Sequence, residues 1–302
     1  MKKKYQELLA VLIILFIYIG IFLKPTLIIE SGINSLNIFK TKLFPSIFPF
    51  FVLSYLILDL GLATKISNKL NFIIKKLFNI EGEATFIILV SIISGFPSGS
   101  KYIATLYNKK RISKNTANYL LTFTHFANPL FVLGTCGIIL NNILLAYKIL
   151  FIQIISNIIL GIILRPKSSE SFKISPYKAN SFLEALPNAI NEAVKLLLFM
   201  LGSITFFMFL AKLISSFFNL NPFITTIITG LLDLTSGISL VGNLSLDLTI
   251  KGLIILSFIT FGSLSVHIQV LNNIKEQDIS YKYFLMGRII QTALALLLYL
   301  IF

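Results

Sequence analysis

Cysteine is nearly absent from these 302 residues. The one that occurs, Cys136, lies in an apolar run, which excludes disulfides and thiolate metal sites. Histidine is almost as scarce. His125 and His267, with no cysteine pair or carboxylate cluster beside them, do not make a metal centre. No GxxxxGK[ST] loop occurs, which argues against ATP hydrolysis, and Ser98 in Pro97-Ser98-Gly99 lacks a base–acid pair for hydrolase chemistry. The sequence therefore carries no enzymatic signature and calls for no cofactor. Charge is sparse at 13%, and acidic residues number 12 against 26 Lys and Arg. No stretch between the apolar runs is long enough to fold as a separate soluble domain.

What is there is hydrophobic. At 56% apolar residues, a soluble domain could not hide its surface, so the chain reads as a polytopic membrane protein with the lipid bilayer as its first partner. The net charge of +14 would suggest nucleic acid in a soluble protein. Here the basic residues sit between apolar runs, and the positive-inside rule explains them without nucleic acid. Lys2, Lys3 and Lys4 precede an apolar run from Leu8 to Leu23 with no small-x-small cleavage site after it. The run is expected to stay as a first span with its N-terminus in the cytoplasm.

A span needs about 20 mainly apolar residues. The candidates are 6–28, 43–61, 117–140, 143–164, 190–211, 251–271 and 283–302. Segment 62–81, with Lys65, Lys69, Lys75 and Lys76, reads as an amphipathic helix on the membrane surface, and 178–191 as its counterpart. Regions 84–107 and 222–243 are apolar but interrupted by small, polar or helix-breaking residues. In the first, Ser94-Gly95-Phe96-Pro97-Ser98-Gly99-Ser100-Lys101 breaks any helix and frees backbone groups that hydrocarbon cannot satisfy. Such breaks are tolerated where protein or water surrounds them, and they mark solute sites in secondary transporters.

Charge chooses the threading. If 84–107 crossed the membrane, Lys109, Lys110, Arg111 and Lys114 would lie outside. As a re-entrant hairpin it keeps them inside, together with Arg165, Lys167, Lys173 and Lys178 after two further spans. Continuing, 222–243 enters as a second hairpin from the outer face, Lys275 and Lys282 fall inside, and the C-terminus ends outside. Only Lys24, Lys40, Lys42, Lys148, Lys212 and Lys251 are then left in outer loops.

The halves echo each other. Leu232-Asp233-Leu234-Thr235-Ser236-Gly237 matches Ser94–Gly99 in placement, and Leu256–Ser263 parallels Leu121–Asn128. The expected fold is all-α, an inverted-topology repeat with two re-entrant helical hairpins. Its parts are an N-terminal transmembrane helix (1–31), a first repeat (32–168) and a second (169–302).

The candidate substrate-binding residues follow from the breaks. Ser94, Gly95, Pro97, Ser98, Gly99, Ser100 and Lys101 would offer N–H groups, hydroxyls and an ammonium to an anion. The structural alternative is that the serines cap half-helices, the glycines allow close packing and Lys101 snorkels to the surface. Asp233 is an intramembrane carboxylate, a functional candidate by default that could hold a coupling H⁺ or Na⁺, or pair with Lys195 or Lys101. Thr235, Ser236 and Gly237 should face the first motif. Thr124 and the Asn128-Pro129 break offer hydroxyl and carbonyls; the alternative is a proline kink. Ser263, Ser265, His267 and Gln269 give the matching helix a polar stripe, with Ser263 and His267 one turn apart on one face. His267 could equally be a packed residue, and Arg288 and Lys195 are expected to snorkel at cytoplasmic helix ends.

Four stretches carry a family resemblance: Ser94–Lys101, Phe123–Phe131, Gly230–Gly237 and Phe261–Val270. In this order they resemble the YlbJ (SpoVV) sporulation integral membrane proteins, of the nucleoside-recognition or Gate domain group. The resemblance runs from about residue 32 to the C-terminus. His125 and Phe126 depart from it, standing where small polar residues are more usual. The resemblance implies export of a small organic anion, dipicolinic acid, from the mother cell across the outer forespore membrane. The alternatives are an ion-coupled nucleoside or other small-solute transporter of the same fold, and a non-transporting spore-maturation factor. A homo-oligomer is left open.

Overall fold

A computed structural model describes residues 2–80, 82–167 and 180–302. The described residues form helices joined by short non-helical segments, with no strand among them. Helix α1 (Lys2–Leu23) ends at Lys24, because Pro25 has no N–H to continue its hydrogen-bond ladder. From Pro25 the chain forms one helix, α2 (Pro25–Asp59), 35 residues long. It passes Pro49 and carries a π turn at Phe39–Leu43. The expected loop between 28 and 43 therefore does not exist. The break falls at Lys24-Pro25, and Lys40 and Lys42 lie within the helix.

Helix α3 (Leu62–Phe78) is the expected amphipathic segment. Ala63, Ser67, Ile74 and Phe78 form its buried stripe, and Asn79 closes it in the left-handed region. Then come α4 (Ala84–Ser94), α5 (Ser98–Asn108), α6 (Lys114–Phe123), α7 (Pro129–Leu140) and α8 (Ile143–Ile163). Lys173, Lys178 and the start of 178–191 lie outside the described residues. The second half holds α9 (Phe182–Phe218), α10 (Pro222–Leu232), α11 (Leu234–Gly242), α12 (Leu248–Phe261), α13 (Leu264–Ile274) and α14 (Tyr281–Ile301).

Among the described residues, five segments are long and apolar enough to cross a membrane: α2, α8, α9, the α12–α13 region and α14. Candidate 117–140 is instead two half-helices, α6 and α7, separated by non-helical backbone at 124–128. Candidate 251–271 is also broken, at Gly262-Ser263, where Gly262 adopts φ +74°. Glycine reaches that conformation without the Cβ penalty.

The two longest helices organise the fold. α2 and α9 run antiparallel along their whole length. The Asn180 N–H donates to the Asp59 carbonyl (3.0 Å), Ser35 and Thr205 share a hydrogen bond (2.6 Å), Lys212 pairs with Glu30 (3.2 Å), and Lys24 donates to Ser216. α4 and α5 lie side by side. The start of one and the end of the other are locked by Arg111, which donates twice to the buried carboxylate of Glu83. Lys109 reaches Asp59 nearby (3.0 Å), so the basic cluster sits at the end of the molecule where α2 finishes. α10 and α11 are pressed closer still. A Cβ on Gly237 would stand 2.1 Å from Gly230 Cα.

Candidate functional site

Four helix breaks meet in the interior, two from each half. At the first, Gly95 adopts φ +75° and lies so close to the second that a Cβ there would stand 2.5 Å from Asn128 N. The Phe96 N–H donates to the Phe126 carbonyl (2.7 Å), so the two unwound segments bond backbone to backbone. At the third, Asp233 separates α10 from α11, and Ser265, just past the fourth, donates to its Oδ1 (3.3 Å). The imidazole of His125, in the second break, faces Gly262 of the fourth.

Unwound backbone in an apolar interior needs partners. α8 supplies them through Gln153 and Asn157, one turn apart. The Ala127 N–H donates to Gln153 Oε1 (3.1 Å), and Asn157 Nδ2 donates to the His125 carbonyl (2.6 Å). Asn128 caps α7 by accepting from the Phe131 N–H (3.1 Å), and its amide reaches back to the Ile93 carbonyl (3.1 Å) at the end of α4. Asp233 caps α11, its Oδ2 accepting from Ser236 N (2.9 Å) and Oγ (2.5 Å).

Between the breaks lies a cavity of about 30 Å³, room for one or two waters. Five of the sequence-predicted residues line it: Asn128, Asp233, Thr235, Ser265 and Gln269. Leu43, Ile47, Met200 and Ile204 of the two long helices close the other side. A smaller space of about 10 Å³ is lined by Pro97, Gly99, Ser100 and Thr124. Phe96 borders both and stacks on His125, with ring centroids 4.6 Å apart and planes at 9°.

The remaining predicted residues lie elsewhere. Ser94 and Ser98 bond each other (2.7 Å) and the local carbonyls of Val90 and Gly95. Gly237 packs on Gly230, and Ser263 bonds Ser265 (2.7 Å). Lys101 borders neither cavity; it pairs with Glu192 (3.1 Å), as does Lys195 (3.0 Å), so neither lysine meets Asp233. His267 is packed among Phe261, Tyr281 and Phe284, with Nδ1 on the Tyr281 hydroxyl (2.5 Å). Because the helix restarts at Ser263, the polar face of α13 is not the expected one. It runs Ser265, Gln269, Asn273, each a turn apart, bonding Asp233, Ser203 (2.8 Å) and Ser100 (2.9 Å) respectively.

Arg288 overturns its expectation. It does not snorkel but is wholly buried, donating to the Thr122 carbonyl (2.8 Å), the Thr260 carbonyl (3.2 Å), Asn157 Oδ1 (3.3 Å) and Gln291. It thus holds the C-terminal ends of α6 and α12, where helix dipoles concentrate negative charge. Spacing held the signal for these residues: Gln153 with Asn157, and Arg288 with Gln291, are polar pairs a turn apart on otherwise apolar spans.

No family model matches the chain, and no solved structure matches it. Among curated proteins it is similar to the sporulation integral membrane protein YlbJ of Bacillus subtilis (strain 168). Identity is 24% over 329 aligned positions, covering 96% of this chain and 81% of the relative. With its apolar spans, the chain is an integral membrane protein similar to that relative over nearly its whole length.

Proposed function

We propose that the chain is a membrane transporter of a small organic anion acting during sporulation, with dipicolinic acid exported across the outer forespore membrane as its substrate. One observation carries the reading: four helix breaks, two from each half, surround a cavity that holds a buried carboxylate. Broken helices around a polar site at the interface of two repeats are the working parts of secondary transporters. In this reading α4–α5 and α10–α11 are re-entrant hairpins, residues 32–168 and 169–302 are inverted repeats, and the N-terminus is cytoplasmic with the C-terminus outside. The protein is not an enzyme in this reading, and transport is passive or coupled to H⁺ or Na⁺.

The electrostatics fit an anion under one condition. Arg288 occupies the negative ends of α6 and α12, while the first turns of α7, α11 and α13 contribute Asn128, Thr235 and Ser265 to the cavity. Those turns present the positive ends of their dipoles. Asp233 opposes an anion when ionised and permits one when protonated, which makes it the coupling group. The cavity is too small for an aromatic dicarboxylate as it stands, so this conformation is closed around the site.

A second reading, a nucleoside or other neutral solute moved by the same fold, is favoured by the absence of Lys and Arg among the described residues lining the cavity. Purified protein in liposomes, tested for dipicolinate and uridine flux with and without a pH or Na⁺ gradient, separates the two. Flux of neither solute, in protein that melts cooperatively, would favour a non-transporting maturation factor.

A further inference from the structure

A second, larger space adjoins the closed cavity. It is a groove of about 630 Å³ between α2, α9, α10 and α11, within the size range of small-molecule sites. Ile38, Met208 and Ser236 border the groove, and Leu43, Ile204 and Thr235 border the cavity, each within about a turn of its neighbour. Ser236 links them directly, because its hydroxyl donates to Asp233 Oδ2 (2.5 Å).

The lining is mainly apolar but carries polar side chains from two of the helices. α2 presents Asn34 and Asn37, and α9 presents Lys212 and Ser215. Asn34 and Asn37 are exposed and Lys212 is partly so, which leaves their polar groups open to a solute in the groove. Lys212 is the cation of the groove, and its partner Glu30, 3.2 Å away, is 59% exposed, so a solute carboxylate can take its place.

We propose that this groove is a solute station next to the Asp233 cavity, binding a small organic anion through Lys212, Asn34 and Asn37, with Ser236 as the passage between the two. The station rests on the transport reading above and adds to it a second site with its own residues. The anion would move from Lys212 to the first turn of α11 when Ser236 releases Asp233, with Met208 and Ile204 giving way together.

The test uses full-length protein in liposomes with Cys136, which is buried, replaced by alanine. Ser215→Cys or Ser239→Cys then places one thiol in the groove for a charged thiol reagent. Both should react, and dipicolinate at about ten times its Kd should slow them about tenfold, as mass action requires. Uridine should not, and adding Lys212→Gln should abolish protection when each variant's rate with dipicolinate is compared with its own rate without it. Protection that survives Lys212→Gln, or that uridine gives equally, overturns the station. Dipicolinate flux without protection overturns the station and leaves the transport reading standing. Neither flux nor protection overturns both.

Discussion

Arg288 Nη2 donates to the carbonyl oxygen of Thr122 at 2.8 Å, and the same guanidinium reaches the Thr260 carbonyl from its other nitrogen. One buried cation thus ties together the ends of two half-helices from different halves of the chain. Arg288→Ala leaves both carbonyls and Asn157 Oδ1 short of a donor in a dry interior, so it should cost about 3 kcal/mol or more. Arg288→Lys keeps the charge but not the fork of donors and should recover only part. Thermal unfolding in detergent checks both. Melting of the alanine variant at the wild-type temperature would mean that water replaces the guanidinium.

Asp233 has two roles that substitution separates. As the cap of α11 it accepts from Ser236, a role asparagine fills equally well and alanine does not. Asp233→Asn should melt like the wild type, and Asp233→Ala should lose about 1 kcal/mol. As coupling group the carboxylate cannot be replaced by the amide. Flux through Asp233→Asn in liposomes should become insensitive to an imposed pH gradient. If the gradient still drives it, the proton rides elsewhere.

The sequence made these breaks legible to very different degrees. Gly95 and Pro97 announced the first, and Asp233 among apolar neighbours announced the break between α10 and α11, because glycine, proline and a lone carboxylate conflict with a lipid-facing helix whatever the tertiary structure. Asn128-Pro129 marked the break in 117–140 but not its extent, since the unwound backbone from Thr124 to Asn128 is held by Gln153 and Asn157 from another helix. Gly262 gave no local sign, because a single glycine also suits a continuous transmembrane helix. Arg288 misled by position. Close to the start of an apolar run it looked like a snorkelling cation, and only the arrival of two helix ends explains its burial. Similarly, Lys40 and Lys42 suggested a loop, yet α2 continues through them because α9 runs antiparallel along its whole length.

The glycines divide into those with room and those without. A Cβ on Gly95 would meet Asn128 backbone at 2.5 Å in a left-handed conformation, and one on Gly237 would meet Gly230 Cα at 2.1 Å. Nothing lies within 4 Å of a Cβ on Gly202. Gly95→Ala and Gly237→Ala should therefore each destabilise by roughly 1–3 kcal/mol, or displace the helices packed there. Gly202→Ala, inside α9, should stabilise by about 0.5–1 kcal/mol through helix propensity. Melting temperatures of the three, in one detergent, check the contrast. A harmless Gly237→Ala would show that α10 and α11 separate in solution.

Phe96 is the wall between the two interior spaces, its ring held flat against His125. Truncation to alanine would merge the spaces and free the imidazole, whose Nε2 has no hydrogen-bond partner. If the wall keeps the site closed while the solute is carried, Phe96→Ala should raise solute leak down a gradient and weaken dependence on the pH gradient. Phe96→Tyr, which keeps the ring, should preserve both. The stability cost of truncation should be about 2 kcal/mol, less than for a fully buried phenylalanine because the ring is only half-buried. Liposome flux with and without a pH gradient, alongside thermal unfolding, distinguishes lost closure from lost folding. A Phe96→Ala protein that melts cooperatively and transports with unchanged coupling would assign the closure to Met200 and Ile204 instead.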